Sequence, residues 1–243
     1  MAQPGKLIGV GTGPGDPDLL TLKALNAIRS ADLLAYFAKR GNASNARSIV
    51  AGHIPAGMPE IPLLYPVTTE LPKNGIDYQT AIKQFYDQSS ETIAGHMIAG
   101  KTVAVLSEGD PLFYGSYMHI HTRLSRRFPC EVIPGVTAMS GCWSVAGMPI
   151  AQGDDILSVL PGTMAEDRLA ARLADTEAAV IMKVGRNLAK VRRALQRAGQ
   201  LERAIYVERG TMDRSRSVPL AEKPDDDAPY FSIVLVPGWE TTP

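Results

Sequence analysis

Two short apolar segments of this chain are each followed by a Gly-Asp-Pro turn, and this pair of turns constrains the fold more than any other feature. Residues 6–10 precede Gly15-Asp16-Pro17, and residues 102–106 precede Gly109-Asp110-Pro111. Apolar runs that end abruptly at glycine and proline are typical of strands buried on both faces of a parallel sheet. Because ligands bind beyond the carboxyl ends of such strands in open α/β sheets, we predict a binding site at these turns. For either turn taken alone, a plain connection is the simpler interpretation.

The glycines of the first turn do not form a known nucleotide-binding loop. They alternate over residues 9–15, and in no register does a third glycine complete G-x-G-x-x-G. No Gly-Lys-Ser or Gly-Lys-Thr follows, which excludes a P-loop. Asp16 and Asp18 also place negative charge where a phosphate would bind. We therefore expect a ligand without phosphates, and a cationic ligand fits.

Composition limits the classes of function. The chain has 243 residues, 45% of them hydrophobic, which is enough for one large domain or two small ones. Its formal net charge of zero argues against nucleic acid as the main partner. Two cysteines, Cys130 and Cys142, are too few for a disulfide framework or a cysteine metal site. Because neither a signal-peptide pattern nor a membrane-spanning run is present, we expect a cytoplasmic protein without membrane contact.

Strand-like and helix-like segments alternate along the whole chain, which predicts an α/β protein. A cluster of Gly147, Pro149 and Gly153 marks a junction, so we predict α/β domains over residues 1–146 and 147–243. Residues 37–75 are rich in proline and are predicted to be a functional excursion or lid. The second domain is predicted to contain strands at residues 156–160, 179–183, 204–207 and 231–236.

Four motifs occur in the order seen in one protein family. They are GVGTGPGDPDLLT at residues 9–21, EGDPLFY at 108–114, IPGVTA at 133–138 and IMKVGR at 181–186. With these motifs the chain resembles the tetrapyrrole methylases, S-adenosylmethionine-dependent enzymes of corrin and sirohaem synthesis, over essentially its whole length. Within the family it is most similar to the enzymes of cobalamin biosynthesis that methylate precorrin-2 at C-20 to give precorrin-3A.

The resemblance implies two α/β/α domains with a cleft between them that binds S-adenosylmethionine and releases S-adenosylhomocysteine. It also implies a homodimer that acts on a tetrapyrrole. Methyl transfer from a sulfonium is expected to need no metal, because the thioether is already a good leaving group. Cobalt-precorrin-2 as the substrate, methylation at another corrin position and diphthine synthase activity are the alternatives within the family. Outside the family, a nucleotide-dependent oxidoreductase and a non-catalytic tetrapyrrole carrier are the rival interpretations.

The cofactor-binding positions implied by the resemblance fall in both predicted domains. They are Pro14, Gly109, Asp110, Pro111, Tyr114, Thr137, Ala138, Met182, Val184, Glu208, Arg209 and Thr211. Asp110 is expected to bind the methionine ammonium and Met182 to pack against the adenine. Met182 equally fits a core position, and Thr137 equally fits a helix cap. Gly115 departs from the family pattern, in which we expect a hydroxyl residue.

The predicted reaction is an in-line displacement, in which an electron-rich meso carbon of the tetrapyrrole attacks the sulfonium methyl group. Glu108 and Tyr114 are the candidate acceptors for the proton that is then lost. Because the substrate carries acetate and propionate groups, we expect basic residues to bind it. The candidates are Lys39, Arg40, Arg47, Lys183, Arg186 and Arg214, with Arg209 and Arg216 nearby. For each of them, a solvated surface charge is the simpler alternative.

Overall fold

A computed structural model describes residues 4–66 and 75–238 of the chain. One compact unit ends at Thr137 and a second begins at Ala138. Both units are built from alternating strands and helices, which confirms the predicted α/β class. Among the described residues, no helix is both long enough and apolar enough to cross a bilayer.

The first unit contains a five-stranded parallel sheet in the order β3-β2-β4-β1-β5. Its strands are β1 (Leu7–Gly11), β2 (Leu33–Lys39), β3 (Glu60–Tyr65), β4 (Val103–Ser107) and β5 (Cys130–Ile133). Its helices are α1 (Leu22–Ser30), α2 (Asn45–Ile49), α3 (Ile76–Ile98) and α4 (Tyr117–Leu124).

Both faces of this sheet are covered. Every residue of β1 and of β4 is buried, as predicted for central strands of a parallel sheet. Alternate residues of these strands pack into two cores, one with α3 and α4 and the other with α1 and α2. The sheet therefore leaves its strand ends, rather than its faces, available for binding.

The prediction of a lid at residues 37–75 is wrong in part. This segment contains α2 and the regular strand β3. Pro62 lies inside β3, and proline is tolerated there because β3 is at the edge of the sheet and pairs only with β2. Residues 67–74, which include Pro72, lie outside the described residues.

The second unit contains a mixed sheet in the order β6-β7-β10-β8-β9. Its strands are β6 (Leu157–Pro161), β7 (Ala178–Met182), β8 (Ile205–Glu208), β9 (Arg216–Pro219) and β10 (Ser232–Val236), and its helices are α5 (Ala138–Ala146), α6 (Glu166–Ala174) and α7 (Leu188–Arg197). Strands β6, β7 and β8 run in one direction, and β10 is antiparallel to β7 and β8. The carboxyl ends of three strands therefore share one edge of this sheet.

Helices α6 and α7 pack on one face of the second sheet, and α5 packs on the other. Cys142 of α5, for example, lies in a core with Val180 and Val207. This packing is why the first unit ends one helix before residue 146, where the sequence placed the junction. Strand β9 was not predicted, because its exposed and polar residues lack an apolar pattern.

Glu131 on β5 links two other parts of the first unit. Its carboxylate forms ion pairs with Lys6, next to β1, and with Lys23 of α1, whose Nζ lies 2.6 Å from Oε1. Hydrogen bonds from Lys23 and Lys6 lower the pKa of Glu131 to about 2, from an ordinary value of 4.5. Because the folded state favours the charged form, the stabilisation is present above the ordinary pKa and is lost as the pH falls towards 2.

We expect Glu131→Gln to lower the free energy of unfolding at neutral pH by about 1 kcal/mol or less, because the two lysines are well exposed. The difference from the original protein should shrink as the pH falls from about 5 towards 2. Urea unfolding at several pH values measures it, and exposed Glu202→Gln is the control. A difference that stays constant over this range would contradict the assignment.

Candidate active site

The two Gly-Asp-Pro turns lie side by side in the first unit. They follow the neighbouring parallel strands β1 and β4, and we call them the first elbow (residues 12–17) and the second elbow (residues 108–114). The backbone N–H of Gly109 donates to the carbonyl of Gly13 over 2.8 Å. Thr12, which is fully buried, donates from its N–H and from Oγ1 to the carbonyl of Ser107. The elbows therefore form one hydrogen-bonded assembly.

A third turn, at Pro134 and Gly135 after β5, packs against the second elbow and against Gly11, the residue directly before the first elbow. A Cβ on Gly135 would lie 2.1 Å from the carbonyl oxygen of Gly109 and 2.9 Å from Cα of Gly11. A Cβ on Gly11 would lie 2.5 Å from the nitrogen of Gly135. The three turns are in backbone contact, and no side chain fits between them.

Asp110 connects the second elbow to the third turn. Its Oδ1 accepts the N–H of Leu112 over 2.9 Å, and Oδ2 accepts the N–H of Gly135 over 3.2 Å. Each carboxylate oxygen still has a second lone pair, so a fixed negative charge remains available to a ligand. This arrangement fits the predicted binding of an ammonium group.

Glu108, a candidate proton acceptor, lies at the start of the second elbow. Its side chain reaches solvent but is surrounded by enough protein that desolvation raises the pKa of its carboxyl group. A hydrogen bond with the side chain of Asn45, the first residue of α2, acts in the opposite direction. A carboxylate with a raised pKa is a better base at neutral pH, which suits proton removal. The sequence pattern gives no signal for Asn45, because this residue lies in the proline-rich segment that is predicted to be a lid.

Tyr114 ends the second elbow in an unusual backbone conformation. Its φ is 55°, and its side chain is 45% exposed and lies edge-on to Phe113. A Cβ on the next residue, Gly115, would lie 2.8 Å from Oγ of Ser107 and 2.9 Å from the carbonyl oxygen of Pro111. This crowding explains why a glycine stands where we expected a hydroxyl residue.

The remaining first-unit candidates lie on the same turns. Pro14 is half-buried in the first elbow and Pro111 is buried in the second. Thr137 directly precedes α5, which begins at Ala138. Both interpretations of Thr137, helix cap and cofactor contact, therefore remain predictions.

In the second unit, two predicted residues lie on opposite sides of the sheet because β7 ends at Met182 and the backbone turns at Lys183, whose φ is 57°. Met182 of β7 packs with the core under α5, whereas Val184 is fully buried in the core under α6 and α7. Only the backbone of Val184 is left to contact a ligand. Met182 is half-buried, so a core position and a ligand contact both remain consistent with its placement.

Glu208, at the end of β8, is held by a buried tyrosine. Tyr206 donates from its hydroxyl to Oε2 of Glu208 over 2.7 Å and lies 3.1 Å from Oγ of Ser232. Burial, with Glu208 acting in the same direction, raises the pKa of Tyr206 to about 12. Because Tyr206 packs under α6 and α7, Glu208 lies on the face of the sheet opposite to Met182.

Backbone strain is concentrated at the predicted site residues. Among the described residues, the non-glycine residues with positive φ are Tyr114, Lys183, Arg209, Thr211 and Arg214. Every one of them had been predicted to bind cofactor or substrate. Such conformations cost on the order of 1–3 kcal/mol each and cluster at functional sites. For the β-branched Thr211 a positive φ is especially rare.

Gly210, between two of these strained residues, was not among the predicted site residues. A Cβ there would lie 2.6 Å from Sγ of Cys142, and burial raises the pKa of that thiol to about 11. The glycine in the sequence Glu-Arg-Gly-Thr indicates such a position, because close packing of a helix, here α5, against the backbone requires a residue without a side chain.

The basic candidates differ in their surroundings. Arg47 donates from Nε and Nη2 to the two carboxylate oxygens of Glu60, over 3.0 Å each. This bidentate pair lowers the pKa of Glu60 and engages Arg47 within the fold. The other candidates are exposed, namely Lys39, Arg40, Lys183, Arg186 and Arg214.

The histidines of α4 take part in local packing. His119 stacks on Tyr86 with ring centres 4.1 Å apart, and Nδ1 of His121 lies 3.2 Å from the hydroxyl of Tyr117. Residues 4–66 and 75–238 contain no group of three or more His, Cys, Asp or Glu side chains that could hold a metal ion.

We expect Gly135→Ala to lower the free energy of unfolding by about 3 kcal/mol, because its methyl group would overlap backbone atoms of Gly109 in the second elbow and of Gly11 at the end of β1. Gly52→Ala is the matched control, since no atom lies within 4 Å of a Cβ there. Denaturant unfolding measures both changes. Equal stabilities of the two variants would show that the turns are not in close contact.

Known proteins resemble this chain in sequence and in fold. The protein named precorrin-2 C(20)-methyltransferase from Sinorhizobium sp is 66% identical over 98% of both chains. The cobalt-precorrin-2 C(20)-methyltransferase of Salmonella typhimurium is 28% identical over 97% of this chain and 98% of its own. A solved uroporphyrin-III C-methyl transferase from Thermus thermophilus, complexed with S-adenyl homocysteine, has the same fold, with a TM-score of 0.68 at 23% identity over 95% and 97% of the two chains. The family model for tetrapyrrole (corrin/porphyrin) methylases matches residues 6–224, and this chain belongs to that family.

Proposed function

We propose that this protein is an S-adenosylmethionine-dependent methyltransferase that methylates the C-20 meso carbon of precorrin-2 to give precorrin-3A. The observation that carries the proposal is the 66% identity, along nearly the full length, to a protein named for this activity. The relative named for the cobalt-containing substrate is only 28% identical, which favours the metal-free substrate. Cobalt-precorrin-2 is the second candidate.

The first unit fits a cofactor with a charged amino-acid end and no phosphate. The elbows lack a phosphate-binding signature, and Asp110 presents a carboxylate fixed by two backbone N–H groups. When bound, S-adenosylmethionine supplies an electrophilic methyl group. Pro14, Gly109 and Pro111 lie on the same elbows and would hold it together with Asp110.

The residues of the chain contribute positioning and proton transfer. Asp110 receives the ammonium group and orients the ligand. Tyr114, held in a strained conformation, orients the reacting partners, and positioning of this kind accounts for much of the acceleration of a displacement. Glu108, whose pKa is raised by desolvation, takes the proton that the meso carbon loses.

The proposal extends to the second unit. Met182 packs against the adenine. Glu208, which Tyr206 orients, and the backbone of Val184 also contact the cofactor. The remaining cofactor contacts are Thr137, Ala138, Arg209 and Thr211. The carboxylates of the substrate are bound by exposed basic residues, namely Lys39, Arg40, Lys183, Arg186 and Arg214. The enzyme acts as a homodimer in the cytoplasm, as expected from the family.

The decisive experiment gives the purified protein S-adenosylmethionine labelled with ¹³C in its methyl group. Metal-free precorrin-2 and its cobalt-containing form are supplied separately, and the label is located by NMR. We expect one labelled methyl group at C-20 with the metal-free substrate. Label at another carbon would indicate a different member of the family, and tight tetrapyrrole binding without transfer would indicate a carrier.

We expect Asp110→Ala to weaken binding of S-adenosylhomocysteine by at least about tenfold, because a hydrogen bond to a charged group is lost. Calorimetric titration measures the affinity. Asp110→Asn retains an acceptor oxygen for one backbone N–H, so it separates the effect of charge from that of local structure. The control is Asp18→Ala, at an exposed residue directly after the first elbow. Unchanged affinity in both Asp110 variants would remove this residue from the site.

A further inference from the structure

Three hydroxyl groups meet beside the second elbow. The hydroxyl of Tyr86 on α3 donates to Oγ of Ser116 over 3.2 Å, and the hydroxyl of Tyr65 at the end of β3 also contacts Oγ of Ser116. The two tyrosine hydroxyls are 3.5 Å apart. We call Tyr65, Tyr86 and Ser116 the hydroxyl latch.

Ser116 occupies the position before α4, where a serine normally caps the helix. Here its side chain makes no capping hydrogen bond and contacts the two tyrosines instead. The hydroxyl therefore fixes the start of α4 to β3 and α3 rather than to the helix that follows.

The two tyrosines are themselves held rigidly. The ring of Tyr65 lies 4.8 Å from that of Phe85, which lies 5.1 Å from Tyr86. On its other side Tyr86 stacks on His119 of α4, and Tyr86 is only 6% exposed. Aromatic contacts of this kind restrict ring motion, so the latch is a fixed anchor.

The latch lies two residues after Tyr114. Gly115, between them, is packed against Ser107 and Pro111 so closely that no side chain fits. The strained φ of 55° at Tyr114 is therefore bounded by a crowded glycine and then by the anchored Ser116. A residue in this conformation returns to an ordinary one unless its surroundings prevent it.

We propose that the hydroxyl latch holds Tyr114 in its strained conformation, and that Tyr65, Tyr86 and Ser116 are positioning residues for the methyl transfer. The kinetic part of this proposal rests on the proposed function. The structural part, that the latch orders residues 111–117, does not depend on which reaction the protein performs.

The kinetic test uses Ser116→Ala, Tyr65→Phe and Tyr86→Phe, each of which removes one hydroxyl group. We expect each to lower kcat for methyl transfer by roughly tenfold, with little change in KM for precorrin-2. In a Tyr114→Ala background, Ser116→Ala should cause no further loss, because the residue that it positions is absent. Equal losses in both backgrounds would overturn the proposal, as would an unchanged kcat.

Hydrogen exchange provides the second readout. We expect the backbone amides of residues 112–117 to exchange at least about tenfold faster in Ser116→Ala. The control is Ser125→Ala, which removes an exposed hydroxyl at the other end of α4. Unchanged exchange would overturn the latch, whether or not the protein methylates a tetrapyrrole. Absence of methyl transfer by the original protein would instead overturn only the proposed function.

Discussion

The first unit depends on the contact of three backbone turns at one edge of its sheet. Strands β4, β1 and β5 are adjacent and parallel, so the turns that follow them meet. Gly11 and Gly135 bring these turns so close that a Cβ on either glycine would overlap the carbonyl oxygen of Gly109. The positions of Glu108 and Asp110, and therefore the charges offered to a ligand, follow from this contact. A carboxylate held by backbone N–H groups is a different kind of site from the glycine cradle that receives phosphates.

Each unit has backbone strain at residues predicted to bind cofactor or substrate. One strained residue ends the second elbow, and four lie in the turns that follow β7 and β8. In the second sheet, the carboxyl ends of these strands fall on one edge because β10 is inserted antiparallel between them. Side-chain alternation then sends Met182 and Glu208 to opposite faces, so the two residues cannot form one continuous wall with their side chains alone.

Membership of the methylase family and the local geometry of the side chains describe different properties of this protein. The family follows from similarity along most of the chain. The geometry adds what similarity does not provide, which is how each side chain is held. Arg47 is an example, because its guanidinium pairs bidentately with Glu60 and thus differs from the exposed basic candidates.

The sequence alone determined the α/β class, the two elbows, and most strands and helices. It could do so because buried strands are short apolar runs, and because glycine, aspartate and proline set the turns locally. Only the tertiary structure decided the rest. Strands β3 and β9 lie at sheet edges, where proline and polar residues are tolerated and the apolar pattern is lost. The assignment of α5 to the second unit, the pairing of Arg47 and the burial of Val184 depend on contacts between residues distant in the chain, and no local pattern encodes which partner a side chain meets.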